Sequence, residues 1–200
     1  MDRIDELSAA FAKLPGIGPR QGKRFVFHLL SAPSSERLRL AELLVAIGKD
    51  VRQCPSCLRF YNGNTATLCR YCADAARDAT QLMLVEKDQD LAAVERAGTY
   101  KGRYFVLGGV LTLSGKGSIR EKELLAGVET RLQNGLREII LALSATSEGE
   151  HTADRVREIL APYRGRLTIF TLGRGLATGS ELEYSDAETL RAALAGRKEA

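Results

Sequence analysis

Cys54-Pro55-Ser56-Cys57, eleven further residues, and then Cys69-Arg70-Tyr71-Cys72 is the stretch that decides how this 200-residue chain is divided. It holds all four cysteines of the sequence. Each C-x2-C sets two thiolates on one tight turn, and two such turns close a tetrahedron around Zn²⁺. No fifth cysteine or adjacent histidine competes, so protein sulfur fills every position and leaves no place for a reacting water. Such a zinc is structural. The rival reading, four unrelated buried thiols, is poorly served by this clustering. Disulfides suit a secreted chain, but the mixed-charge start, Met1 to Glu6, lacks the layout of a signal peptide. The segment has few apolar residues of its own, so the metal is expected to supply its folding free energy.

In front of the cysteines, residues 1–53 read as three helices. Ile4, Leu7, Phe11 and Leu14 recur at helical spacing. The run Leu14-Pro15-Gly16-Ile17-Gly18-Pro19 then breaks the helix, and Pro19 suits the first turn of the next one. Phe25, Val26 and Leu29 give that second helix an inward face, on which His28 is expected to pack. A third helix is predicted from about Glu36 to Val51, with Ser34 or Ser35 as N-cap and Leu40, Leu44, Ile47 and Val51 as its apolar stripe.

Behind the cysteines the texture changes. Short apolar runs at Leu82–Val85, Tyr104–Leu107, Ile139–Leu143 and Leu167–Phe170 alternate with amphipathic stretches near 88–97, 121–134, 152–160 and 186–195. Strands alternating with helices argue for a mostly parallel sheet covered on both faces. The fold class expected is therefore multidomain α+β: helices at 1–53, a four-cysteine zinc finger at 54–77, an α/β domain at 78–173, and a short C-terminal segment at 174–200.

Charge adds direction. The chain carries a net +4, and residues 1–72 hold 11 Lys and Arg against 6 Asp and Glu. A basic front fits a polyanion partner, or simply a solvated Arg-rich surface. The hairpin Leu14–Arg20 sharpens this. Its glycines allow close approach to a phosphate, and the following helix offers free N–H groups, with Arg20, Lys23 and Arg24 in its first two turns. Contacts of that kind ignore base sequence. The same G-x-G turn also serves as a plain connection between helices. In the α/β region, Glu86 follows the first strand, Asp88 and Asp90 lie close by, and Glu148 and Glu150 follow the central strand. Such carboxylates either hold Mg²⁺ through a few oxygens, or are solvated and capping. No Walker A loop, nucleophile elbow or Cys–His pair occurs, and no apolar run approaches the roughly 20 residues of a membrane span. A cytoplasmic location is expected.

The order of parts resembles the bacterial recombination mediator family RecR along essentially the whole length. The segments that carry the likeness are the hairpin, the cysteine pairs, Val85-Glu86, Gly102 to Leu107, Thr146 to Ala153, and Leu182-Glu183-Tyr184-Ser185-Asp186. The resemblance implies a helix-hairpin-helix domain, a Toprim α/β domain, and a DNA-binding protein of recombinational repair that is not an enzyme. It implies action with RecO and RecF to help load RecA on single-stranded DNA covered by single-strand binding protein, and a ring-like tetramer able to encircle single- or double-stranded DNA. Carried onto this chain, DNA contact falls on Arg20 and Arg24, zinc on Cys54, Cys57, Cys69 and Cys72, and RecO contact on Glu86, Asp90, Glu148 and Glu150. Arg20 stands where lysine is usual. Gly22 replaces a small helix former and should loosen its helix by up to about 1 kcal/mol. Residues 113–118 and the Gly175–Gly179 loop, with Ala177 where proline is usual, also depart from the family. The rival is a Mg²⁺-dependent Toprim nuclease or primase-like enzyme. It needs an Asp-x-Asp after the later strand, which here ends Leu143-Ser144-Ala145.

Overall fold

The computed structural model describes residues 2–63, 66–114, 117–173, 175–176, 179 and 181–197. They form two compact units, Met1–Arg52 and Gln53–Ala200. Among the described residues no helix is long and apolar enough to cross a membrane.

The first unit is helical: α1 (Arg3–Phe11), α2 (Pro19–Ser31) and α3 (Ser34–Asp50). Asp2 caps α1, accepting the Asp5 N–H at 2.8 Å, and Asp5 and Glu6 suit the positive end of the helix. Helices α1 and α2 pack as a hairpin, with Val26 buried between them and Phe11 edge-on to Phe25 at 5.7 Å. Gly22 permits this. A Cβ there would sit 2.6 Å from the Ser8 carbonyl oxygen of α1, so the residue expected to loosen α2 is what lets the two backbones meet. His28, expected in the core, is exposed, because the buried face of α2 runs through Gly22 and Val26. Helix α3 starts earlier than predicted. Extended Pro33 precedes it, its carbonyl accepts from Glu36 at 3.1 Å, and no serine side chain caps. Arg37 instead reaches back to the last carbonyls of α2, Leu29 and Ala32. The apolar stripe of α3 stays in the open: Leu44 is 64% and Ile47 59% exposed.

The second unit is built on a parallel sheet. Its strands are β3 (Asp78–Val85), β4 (Gly102–Val106), β5 (Glu138–Ala142) and β6 (Thr168–Thr171), in the order β4-β3-β5-β6. Two short strands, β1 (Val51–Gln53) and β2 (Phe60–Asn62), form a separate ribbon beside the first cysteine pair. The connecting helices are α5 (Asp88–Ala97), α6 (Glu121–Gln133) and α7 (Ser147–Ile159), after the single turn α4 (Arg70–Ala73); α8 (Ala187–Ala195) ends the chain. Gly98, with φ of +69°, stops α5 in the left-handed conformation.

Strand side chains alternate between faces. Leu82, Leu84, Phe105, Leu107, Ile139 and Leu141 pack with Leu124 and Val128 of α6 and Ala153 and Val156 of α7. Met83, Val85, Tyr104 and Val106 pack on the other face with Leu91 of α5, Tyr71 and three of the cysteines. The cysteine segment, expected to lack a core, shares the sheet's. Its first knuckle also meets the sheet margin, where the Cys57 carbonyl accepts the Val106 N–H at 2.8 Å. Helix α7 starts at Ser147 rather than 152, since Thr146 accepts the Gly149 N–H at 3.1 Å and caps it.

Candidate metal centre and nucleic-acid interface

Cys54, Cys57 and Cys69 are fully buried and Cys72 is partly so. Backbone turns build each pair: Leu58 N–H donates to the Cys54 carbonyl at 2.8 Å, and Cys72 N–H to the Cys69 carbonyl at 3.0 Å. Leu58, with φ of +61°, is the one non-glycine residue with positive φ among those described. Its carbonyl is held by Arg120 and by Gln53, both at 2.9 Å. All four sulfurs lie within 4.8 Å of one another, and Cys57 and Cys69 are 3.5 Å apart. Tetrahedral zinc with bonds of about 2.3 Å requires sulfurs about 3.8 Å apart, so the donor set fits. Hydrogen bonding among the thiols, from Cys57 and Cys72, holds Cys69 below the ordinary thiol range, and the same contacts together with burial push Cys57 above it.

The hairpin presents its basic residues to solvent. Gly16 turns the chain with φ of +77°, and Gly18 precedes α2 with no side chain to occupy the first free N–H groups. Arg20, Lys23 and Arg24 are exposed, α2 contains no carboxylate, and among the described residues none of the three forms an ion pair.

The acidic residues separate into different roles. Glu86 is only 8% exposed and accepts the Ser144 N–H at 2.6 Å, tying the end of β3 to the end of β5. Asp90 accepts the Lys87 N–H at 2.8 Å, inside the first turn of α5. Asp88 turns to the cysteine knuckle, accepting the Phe60 N–H at 2.9 Å. Glu148 is exposed and Glu150 partly buried in the first turn of α7. Among the described residues, the four cysteines are the one group of three or more ligating side chains that converges closely enough for an ion.

Residues 80–171 match the Toprim domain model, residues 4–47 the model described as RecR, helix-hairpin-helix, and residues 175–198 that described as RecR, C-terminal. Recombination protein RecR of Mycobacterium leprae is 42% identical over 98% of this chain and 94% of its own length. The chain belongs to the RecR family. Its RecR relative in Acidothermus cellulolyticus is also 42% identical, over 99% of this chain and 95% of that protein. The one in Chloroflexus aurantiacus is 39% identical over 98% of both. In this RecR chain, two residues of the Thr146–Ala153 segment have roles that their residue types do not announce. A Cβ on Gly149 would overlap the Ser144 carbonyl. Thr152, fully buried, accepts the Leu111 N–H at 2.9 Å and donates to the Glu148 carbonyl at 2.7 Å. Of the departures from the family, Gly115 and Lys116 in the 113–118 loop, and Ala177 and Thr178, lie outside the described residues.

Proposed function

We propose that this RecR chain is a cytoplasmic DNA-binding scaffold of recombinational repair, not an enzyme, that acts with RecO and RecF to help load RecA onto strands covered by single-strand binding protein. The observation that carries the reading is the hairpin: Arg20, Lys23 and Arg24 stand exposed and without ion-pair partners, among the described residues, beside the start of α2, whose N-cap Gly18 has no side chain. Phosphates of either single- or double-stranded DNA satisfy those groups with no reading of bases. The test is binding to an unrelated set of DNA sequences across a salt series. Arg20→Ala with Arg24→Ala should weaken all of them alike and flatten the log–log salt slope by roughly 2 per bound copy. Unchanged affinity, or loss confined to some sequences, would count against it.

Zinc is the metal proposed for Cys54, Cys57, Cys69 and Cys72, on the all-sulfur donor set and its spacing. When bound, it holds the two knuckles together and takes no part in chemistry. For RecO we propose the acidic edge, with exposed Glu148 and neighbouring Glu150 as the contacts and Glu86 and Asp90 behind them, since both of the latter are engaged in backbone hydrogen bonds. Glu148→Ala with Glu150→Ala should lower RecO affinity in a calorimetric titration while zinc content stays unchanged. Mg²⁺-dependent turnover of DNA that disappears in Glu86→Gln would overturn the scaffold reading in favour of a Toprim enzyme.

A further inference from the structure

Three arginines from separate parts of the Toprim unit converge on the cysteine knuckles. Arg131, at the end of α6, donates from Nη2 to the Ser56 carbonyl at 2.5 Å and its hydroxyl at 2.9 Å, between Cys54 and Cys57. Arg120 donates from Nη1 to the Leu58 and Val106 carbonyls, each at 2.9 Å. Arg103, on β4, donates to the Cys72 carbonyl at 2.7 Å. All three are half-buried, and among the described residues none has a carboxylate oxygen within 4.0 Å. Nearby Arg77 shows the ordinary arrangement, meeting both oxygens of Glu95 at 2.7 Å. Glu123 lines the same cavity as Arg103 and Arg131 yet forms no ion pair with either among the described residues.

Carbonyl oxygens satisfy these N–H groups but carry no net charge. A guanidinium withdrawn from water needs a counter-ion, and pairing is what makes such burial tolerable. The Ser56, Leu58 and Cys72 carbonyls that they hold belong to, or stand next in the chain to, the four converging cysteines. A divalent ion on four thiolates leaves a formal charge of −2 at the site. Resting on the zinc reading above, we propose that Arg103, Arg120 and Arg131 are positioning residues that balance the negative charge of the metal-loaded cysteine centre. Two serve the first knuckle and one the second, and none ligates. Outer-shell partners of this kind tune affinity by acting on the ligands.

The test separates charge from hydrogen bonding. Full-length protein, Arg131→Gln and Arg131→Lys are purified, checked for zinc by metal analysis and for folding by circular dichroism, and then set against a chromophoric chelator. Arg131→Gln should release zinc more readily by about tenfold or more, and Arg131→Lys, which keeps the charge but not the planar fork, should recover most of that loss. If Arg131→Gln fails to fold, Arg103→Gln against Arg103→Lys makes the same comparison at the other knuckle. Zinc held by the glutamine variants as firmly as by the unchanged protein would overturn the assignment. Equal loss in the glutamine and lysine variants would do so too, because geometry alone would then account for the arginines. Absence of zinc from the unchanged protein would bring down the metal reading, and this proposal with it.

Discussion

Gly22 shows how far one hydrogen atom in place of a methyl group can decide packing. Helix propensity alone favours alanine there by about 1 kcal/mol. The Ser8 carbonyl, 2.6 Å from where the methyl carbon would stand, opposes it with backbone on both sides, and forced overpacking of this kind costs about 1–3 kcal/mol. Gly22→Ala should therefore lower the thermal midpoint of the helical unit, and a gain in stability would show that α1 can shift freely. Thr152 is a second such position. Thr152→Val keeps the shape but leaves the Leu111 N–H without its acceptor, at about 1–3 kcal/mol. Faster hydrogen exchange at the Leu111 amide is the expected signature. Neither role can be read along the chain. Gly22 meets a carbonyl of another helix, and Thr152 meets an amide 41 residues away. The four cysteines, by contrast, lie within one short segment and carry their spacing with them, so their convergence was legible from the letters alone.

Among the elements, α8 depends visibly on its cap. Asp186 accepts from the Glu188 and Thr189 N–H groups, each at 2.9 Å, and from the Thr189 hydroxyl at 2.7 Å. The Thr189 bonds, with that from Glu188, hold the carboxyl below its ordinary range. A depressed folded value means that the cap's contribution is fully present above the unfolded pKa of about 3.9 and is lost as the pH falls through the folded one. Helical signals of residues 187–195 should fade on acidification below roughly pH 4 in the unchanged protein, but not in Asp186→Asn, which caps about as well without titrating. A fade common to both would place the cause elsewhere. The β strands were legible because a buried parallel strand must be apolar on both faces. The start of α7 was not, since Ser147 to His151 is polar and only the Thr146 cap reveals the helix.

For the whole molecule, removal of a metal and association between copies are the two things to measure. The sulfurs belong to one of the two cores of the sheet unit, so stripping the metal should not simply loosen a peripheral finger. Chelation is expected to lower the thermal midpoint of the Toprim unit by on the order of 10 °C, read from its own unfolding transition. A midpoint indifferent to chelator would show that the cysteine packing suffices. Helix α3 bears on the second. Leu38, Leu43, Leu44, Val45 and Ile47 are each more than half exposed, which supports association between copies. Light scattering should report a molar mass of several chains, reduced by Leu44→Glu with Ile47→Glu; a monomer at all concentrations would count against the ring-like tetramer that the family resemblance implies.

The bond from the Val106 amide to the Cys57 carbonyl has a consequence for solubility. Strand β4 stands at the margin of the sheet, where unsatisfied amides template pairing with other chains. The first knuckle closes that margin like a hem on cloth. Its loss would leave the Val106 amide bare on a strand that carries Tyr104, Phe105 and Val106, so insoluble β-rich aggregation is expected to rise when the cysteine pair is disrupted.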